Sequence, residues 1–414
     1  MTKSYTLLLF AFLFIHQNSS AQNVEGCNGI RYYYDVFNDI SKTIEQYGSN
    51  TLADGNPINL EMDVFQPEGD LVEKRPLIIW AHGGAFVAGE RSDMDTLCYT
   101  FAKKGFVTAT MSYRLYPLTL GIPDSLDMLD AAIRAVGDMK AVVRHFREDA
   151  ATTNKYKIDP NHIYVGGVSA GAIMAVQVGY LDSSDSIPDY LTDILTLNGG
   201  LEGSTGTAEN QSYSSEVQGV INLAGAIHKL DWIKDGDIPI MSYHGDQDDV
   251  VPYAHGFANV LGFDFMSVNG SGSIHNYIES FDIPNFLVTA VGATHQSAFE
   301  SSYSVYLDNF ITEGQLFLHE LLCAAIAIDV DELLNEKTIE AFPIPSDDVI
   351  TLKLPDFNGA YDLRVFDITG KEVFFRSQQY AKTLQLKKEH IGQGLFFVEI
   401  RTAQQTEMVK VIFK

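Results

Sequence analysis

Ile163-Tyr164-Val165-Gly166-Gly167-Val168-Ser169-Ala170-Gly171 is the stretch on which the reading of this chain turns. Ile163 to Val165 is a short buried strand, and the residues from Ala170 to about Tyr180 read as a helix. Between them lies Gly167-Val168-Ser169-Ala170-Gly171, a G-x-S-x-G turn. A serine on so tight a strand-to-helix turn projects its hydroxyl above a sheet, and small flanking residues let strand and helix pack that closely. The five-residue pattern occurs by chance, so its weight depends on what surrounds it.

Upstream, Pro76-Leu77-Ile78-Ile79-Trp80-Ala81 is a continuous apolar run, followed at once by His82-Gly83-Gly84-Ala85-Phe86. Glycines there leave backbone N–H groups uncovered. Those of Gly83 and Gly84, with the N–H of Ala170, could face a developing oxyanion. Downstream, Ile238 to Tyr243 leads into His244-Gly245-Asp246-Gln247-Asp248-Asp249-Val250-Val251-Pro252, where three carboxylates compete for one role. Phe286 to Val291 leads into Gly292-Ala293-Thr294-His295. Each loop follows the end of its own strand, where sites on parallel sheets gather.

The remaining pattern supports such a sheet. Asn59 to Phe65 alternates as a half-buried strand does, and Phe106 to Met111 and Val220 to Leu223 are further strands. Leu126 to Phe146 reads as a long amphipathic helix, and Tyr303 to Ile328 carries apolar residues at helical spacing. Apolar strands alternating with helices imply an α/β fold, a mostly parallel sheet flanked by helices. Ser183 to Gln218 interrupts the rhythm. It is polar and Gly/Ser-rich apart from Leu191 to Leu195, and it reads equally as a pocket wall or a surface loop.

After about Glu336 the pattern changes. Val349 to Leu354, Tyr361 to Ile368, Thr383 to Leu386, Leu395 to Ile400 and Val409 to Phe413 are short strands without helices between them, as in a small C-terminal β-sandwich. This part carries about ten charges of each sign, so the net charge of −26 belongs almost wholly to what precedes it. So acidic a chain is repelled by nucleic acid and by anionic membrane surfaces.

Lys3, the apolar run Leu7 to Ile15, and the small residues Ser19 and Ala21 predict a signal peptide at residues 1–21, cut before Gln22. No later run reaches the ~20 apolar residues a transmembrane helix needs, so the mature chain is expected to have no transmembrane segment. Export predicts one disulfide and one leftover thiol among Cys27, Cys98 and Cys323. The sequence does not choose among the three pairings; Cys27 with Cys98 is the one favoured.

At this point the chain resembles the α/β-hydrolase carboxylesterases, closest to the branch of hormone-sensitive-lipase-like esterases, over roughly Cys27 to Ile328. His82-Gly83-Gly84-Ala85-Phe86 is similar to their oxyanion motif, and Ser112-Tyr113-Arg114-Leu115 to the segment after the following strand. The family's H-G-x-x-D-x-x-V-P pattern places its aspartate on Asp248 rather than Asp246 or Asp249. The resemblance implies a Ser169–His295–Asp248 triad acting through an acyl-enzyme, with Gly83, Gly84 and Ala170 as oxyanion hole and no metal or organic cofactor. Ala85 replaces a third glycine found in many relatives, and their helical N-terminal cap is not evident.

The last segment resembles the C-terminal sorting domain of the Por (type IX) secretion system of Bacteroidetes. Phe342-Pro343-Ile344-Pro345, Val365 to Val373, Gly394 to Val398 and the basic final strand carry the likeness. The expected organisation is a signal peptide (1–21), an α/β-hydrolase catalytic domain (22–335) and a sorting domain (336–414). The expected partners are the type IX machinery and an ester substrate, small or on an acylated polysaccharide, with short acyl chains favoured. The expected location is secreted or cell-surface.

Other residues have blander readings. His275 precedes the last strand instead of following it, which makes it a poor rival base. His244 orders the acid turn, and His82 belongs to the oxyanion loop. Glu90 and Arg91 could touch substrate, but a surface ion pair is the commoner fate, and Asp127, Asp130, Arg134, Asp138 and Arg144 read as solvated or ion-paired faces of one helix. Two other functions share the pattern: an exported peptidase of the prolyl-oligopeptidase type, for whose large propeller the chain lacks room, and a non-catalytic surface-binding protein on a hydrolase fold.

Overall fold

The computed structural model describes residues 24–27, 30–260, 262–323, 339–354, 360–367, 371–402 and 406–414. The predicted signal peptide, the end of the predicted Tyr303–Ile328 helix, and the expected boundary after residue 335 lie outside the described residues. The chain divides into two compact units, one ending at Ala325 and the other starting at Ile326.

In the first unit the strands are β1 (Ile40–Thr51), β2 (Pro57–Pro67), β3 (Arg75–Ala81), β4 (Val107–Met111), β5 (Ile158–Val168), β6 (Gly219–Leu223), β7 (Ala226–Ile227), β8 (Ile240–Gly245), β9 (His255–Val260), β10 (Phe263–Gly270) and β11 (Asn285–Ala290). The helices are α1 (Asp95–Ala102), α2 (Ser125–Ala151), α3 (Ala170–Tyr180), α4 (Asp189–Leu197), α5 (Ser271–Tyr277) and α6 (Ser304–Cys323). Eight strands form one sheet in the order β1-β2-β4-β3-β5-β6-β8-β11. From β4 to β11 every pairing is parallel, while β1 and β2 join antiparallel at one edge.

The strand β3 shows why its sequence is apolar throughout. Leu77, Ile79 and Ala81 pack in the core that holds α2 and α3; Ile78 and Trp80 pack in the core that holds α1 and α6. A strand covered on both faces has no polar side to alternate with. Helix α2 starts at a capping box, with Asp124 accepting from the N–H groups of Leu126 and Asp127. Its charges are less solvated than the sequence suggests. Asp138 is fully buried against Arg114 at 2.9 Å, and Arg144 is buried against Glu202 at 3.0 Å.

Two further features correct or extend the sequence reading. The disulfide joins Cys27 to Cys323, and Cys98 is the free, buried thiol of α1. The favoured Cys27–Cys98 pairing is therefore wrong: Cys98 faces the core under β4, with Thr108 donating to its carbonyl. In addition, β9 and β10 form an antiparallel hairpin, extended by β7 into a three-stranded sheet. No strand is predicted from the sequence over this region.

The second unit contains β12 (Glu340–Phe342), β13 (Val349–Lys353), β14 (Tyr361–Asp367), β15 (Glu372–Gln379), β16 (Thr383–Lys387), the short helix α7 (Lys388–Ile391), β17 (Gly394–Arg401) and β18 (Thr406–Phe413). One sheet runs β12-β13-β16 and the other β15-β14-β17-β18. Ile350, Leu352 and Leu386 of the first share a core with Leu363, Val365 and Val398 of the second, which makes a β-sandwich.

Candidate active site

Ser169 sits between β5 and α3 with φ 54° and ψ −116°, a backbone conformation that non-glycine residues avoid. The surroundings hold it there. A Cβ on Gly171 would lie 2.1 Å from the Ala81 carbonyl oxygen, so β3 and α3 approach as closely as backbones can. The Ser169 N–H donates to the Leu223 carbonyl at 2.8 Å, fixing the turn from β6 as well. Strain is tolerated where neighbouring structure overdetermines a position.

His295, in the loop after β11, places Nε2 at 3.0 Å from Ser169 Oγ. Its Nδ1 lies 2.6 Å from Asp248 Oδ2, in the loop after β8. Since a carboxylate only accepts, Nδ1 carries the proton and Nε2 is left to accept from the serine hydroxyl. Asp248 is fully enclosed. Its Oδ1 accepts from the N–H groups of Val250 and Val251, and its Oδ2 also lies 3.2 Å from His244 Nε2. Burial pushes this carboxyl up, but the hydrogen bonds from His244 and His295 outweigh it and bring its pKa down to about 2.

The other two carboxylates serve the loops. Asp246 accepts from the Gly292 N–H at 2.6 Å and Asp249 from the His295 N–H at 3.3 Å. His275 lies on α5, with Nε2 at 2.9 Å from Ser242 Oγ and Nδ1 at 3.0 Å from Asn285 Oδ1. Burial lowers its pKa, and it does not reach Ser169. His244 lies in a buried polar cluster that the sequence reading missed. Its Nδ1 is 2.8 Å from Ser271 Oγ, and Asn222 donates to both Ser271 and Ser242 at 3.1 Å. A lone Asn inside the apolar run of β6 was the available signal.

The loop after β3 is held from one side. Tyr113 stacks on His82 with ring centroids 4.3 Å apart, and its hydroxyl donates to the His82 carbonyl at 2.9 Å and the Gly83 carbonyl at 3.3 Å. His82 Nδ1 donates to the Gly83 carbonyl at 2.7 Å, and burial lowers the pKa of its ring. In a trans peptide the C=O and the following N–H point in opposite directions. Pinning both carbonyls toward Tyr113 therefore turns the N–H groups of Gly83 and Gly84 away from it. Gly83 abuts the Ser169 turn: a Cβ there would lie 3.4 Å from Ser169 Cβ. Gly84 has φ +106° and room for no side chain, because a Cβ would meet the Ala88 carbonyl oxygen at 2.1 Å. The Ala170 N–H is the first of α3 and has no intrahelical acceptor.

Beside Ser169 lies an apolar cavity of about 40 Å³. Ala85 and Phe86 border it from the loop after β3, Ile173 from α3, and Ala258, Phe265 and Met266 from the β9–β10 hairpin. The Ser183–Gln218 segment does not reach this cavity; its Leu191 and Leu195 line a neighbouring one. Glu90 and Arg91 border a separate groove, where Arg91 pairs with Asp63 at 2.7 Å and Glu61 at 3.2 Å.

The BD-FAE family model matches residues 62–233, and the secretion system C-terminal sorting domain matches residues 340–414. Among solved structures, the chain is similar to esterase 2 of Thermogutta terrifontis phosphorylated by paraoxon, at 17% identity and a TM-score of 0.49, over 68% of this chain and 95% of that one. It is also similar to a truncated carbohydrate esterase from gut microbiota, at 20% identity and a TM-score of 0.46, over 68% of this chain and 98% of that one. The sorting domain marks the protein for export to the cell surface or beyond. Residues 62–233 thus match the BD-FAE family within an α/β-hydrolase fold, and residues 340–414 match a secretion sorting domain.

Proposed function

We propose that the protein is a secreted serine esterase in which Ser169, His295 and Asp248 hydrolyse short-chain carboxylic esters through an acyl-enzyme. The observation that carries this reading is the continuous hydrogen-bonded chain from Ser169 Oγ through His295 to Asp248, starting at a strained strand-to-helix turn.

The chemistry follows from the geometry. His295 Nε2 takes the Ser169 proton as Oγ attacks the ester carbonyl. The imidazolium that forms lies against Asp248, which is ionised at neutral pH because its pKa is held at about 2. The N–H groups of Gly83, Gly84 and Ala170 receive the oxyanion. His295 then returns its proton to the leaving alcohol, and water repeats the sequence on the acyl-enzyme. A cavity of about 40 Å³ holds only a few non-hydrogen atoms, which favours acetyl and similarly short acyl groups. Export through the type IX machinery would bring this activity to extracellular esters, including acylated polysaccharide.

Replacing Ser169 by Ala tests the proposal. Hydrolysis of p-nitrophenyl acetate should fall by a factor of ~10⁴ or more, leaving a residual rate from the oxyanion site. Near-normal turnover by the Ser169→Ala protein would overturn it.

A further inference from the structure

Ile173 and Met266 line both the cavity beside Ser169 and a second apolar cavity of about 50 Å³. Three elements run past both spaces in the same order. On α2, Met128 borders the first cavity, and Leu129, Ala132 and Val136 border the second, at the spacing of one helical stripe. On α3, Ile173 borders both and Gln177, one turn on, borders the second alone, as does Leu181 just past the helix end. On β10, Phe265 borders the first, Met266 both, and Val268 the second. Leu191 and Leu195 of α4 close the far end. Two unrelated pockets would not share three walls in register, so the pair reads as one trough between α2 and α3, interrupted by two side chains.

We propose that Ile173 and Met266 determine acyl-chain length, and that the second cavity is the continuation of the acyl-binding trough that they cut off. The inference rests on the Ser169 reading above. Ile173 is branched at Cβ and stiff, and it is fixed one helical turn beyond Ser169. Met266 is unbranched and comes from the hairpin, so it is the adjustable half of the partition. Shortening either side chain joins the two spaces and gives a linear, saturated acyl chain of about eight carbons a dry path away from the nucleophile.

The test compares kcat/KM for p-nitrophenyl acetate and octanoate. The wild-type protein should favour acetate. Met266→Ala should raise the octanoate-to-acetate ratio by about tenfold or more, within the range that a few methylenes in an apolar pocket command. Adding Leu195→Phe to that variant fills the far cavity and should remove the gain, although position 195 does not border the first cavity. Ile173→Val is a milder opening that serves if Met266→Ala does not fold, and should shift the ratio in the same direction. A wild type that already prefers octanoate, or a folded opening variant whose ratio stays within threefold of wild type, would overturn the inference. Fluorophosphonate labelling separates the two levels. A wild-type protein that does not label at Ser169 undermines the esterase reading itself, whereas labelled variants with an unchanged ratio undermine only the partition.

Discussion

His244 Nε2 and His295 Nδ1 converge on the same oxygen of Asp248, at 3.2 Å and 2.6 Å. One imidazole faces Ser169 and the other faces the interior, so the carboxylate is clamped from both sides. Its ionisation is consequently part of the fold's stability as well as of the proposed chemistry.

The sign follows from the direction of the shift. Asp248 has a folded pKa of about 2 against an ordinary 3.8. A depressed carboxyl stabilises the fold above its unfolded pKa and loses that contribution as pH falls through the folded value. The window runs from about pH 4 down to about pH 2, and the effect is on the order of 2 kcal/mol. Urea unfolding of wild type and Asp248→Asn should therefore show a stability gap that narrows across this window. A gap independent of pH there would contradict the assignment.

The three neighbouring carboxylates should separate cleanly in kinetics. Asp248→Asn should lower kcat by ~10³ to 10⁴, because the amide no longer holds the imidazole in its working tautomer. Asp246 and Asp249 accept from backbone N–H groups of the histidine loop, which an amide oxygen at either position can still do. Asp246→Asn and Asp249→Asn should stay within about tenfold of wild type. Equal losses at all three positions would mean that loop order, rather than the Asp248–His295 contact, limits the rate.

Tyr113→Phe removes a single hydroxyl while keeping the ring stacked on His82. Two peptide carbonyls lose a donor, at a stability cost of about 1 kcal/mol. With the loop less well held, kcat for p-nitrophenyl acetate should fall roughly tenfold while KM changes little, as expected for an interaction felt in the transition state. A change confined to KM would show that Tyr113 acts on substrate binding instead.

The Cys27–Cys323 bridge spans 296 positions. Closing so long a loop restricts the unfolded chain, and Cys27→Ser should cost about 3 kcal/mol or more. Dithiothreitol should lower the wild-type Tm toward that of the variant and leave the variant unaffected. Cys98→Ser should leave the dithiothreitol response intact.

The parts of the site that were legible in the sequence share one property. Ser169, Gly83 and Gly84, Asp248 and His295 each lie at or just past the end of an apolar strand of the sheet, so a linear pattern announces both the strand and the loop after it. The hairpin that walls the cavity gave a weaker signal. Phe263 to Val268 begins to alternate, but the register shifts between Asp264 and Met266, and the break disguises the strand. Cysteine pairing was illegible for a different reason: Cys27 and Cys323 have Cα atoms 5.7 Å apart only because the fold returns its end to its beginning. The buried cluster of Asn222, Ser242 and Ser271 draws on three separate elements, and no local pattern links them.

That return has a topological consequence. Between Cys27 and Cys323 the hydrolase unit is a covalently closed ring, opened either at the disulfide by reduction or at a loop by proteolysis. A protease that cuts one exposed loop leaves a single molecule whose two fragments separate only on reduction. For an exported protein, one scission is then survivable, and two on the same ring are needed to shed a piece.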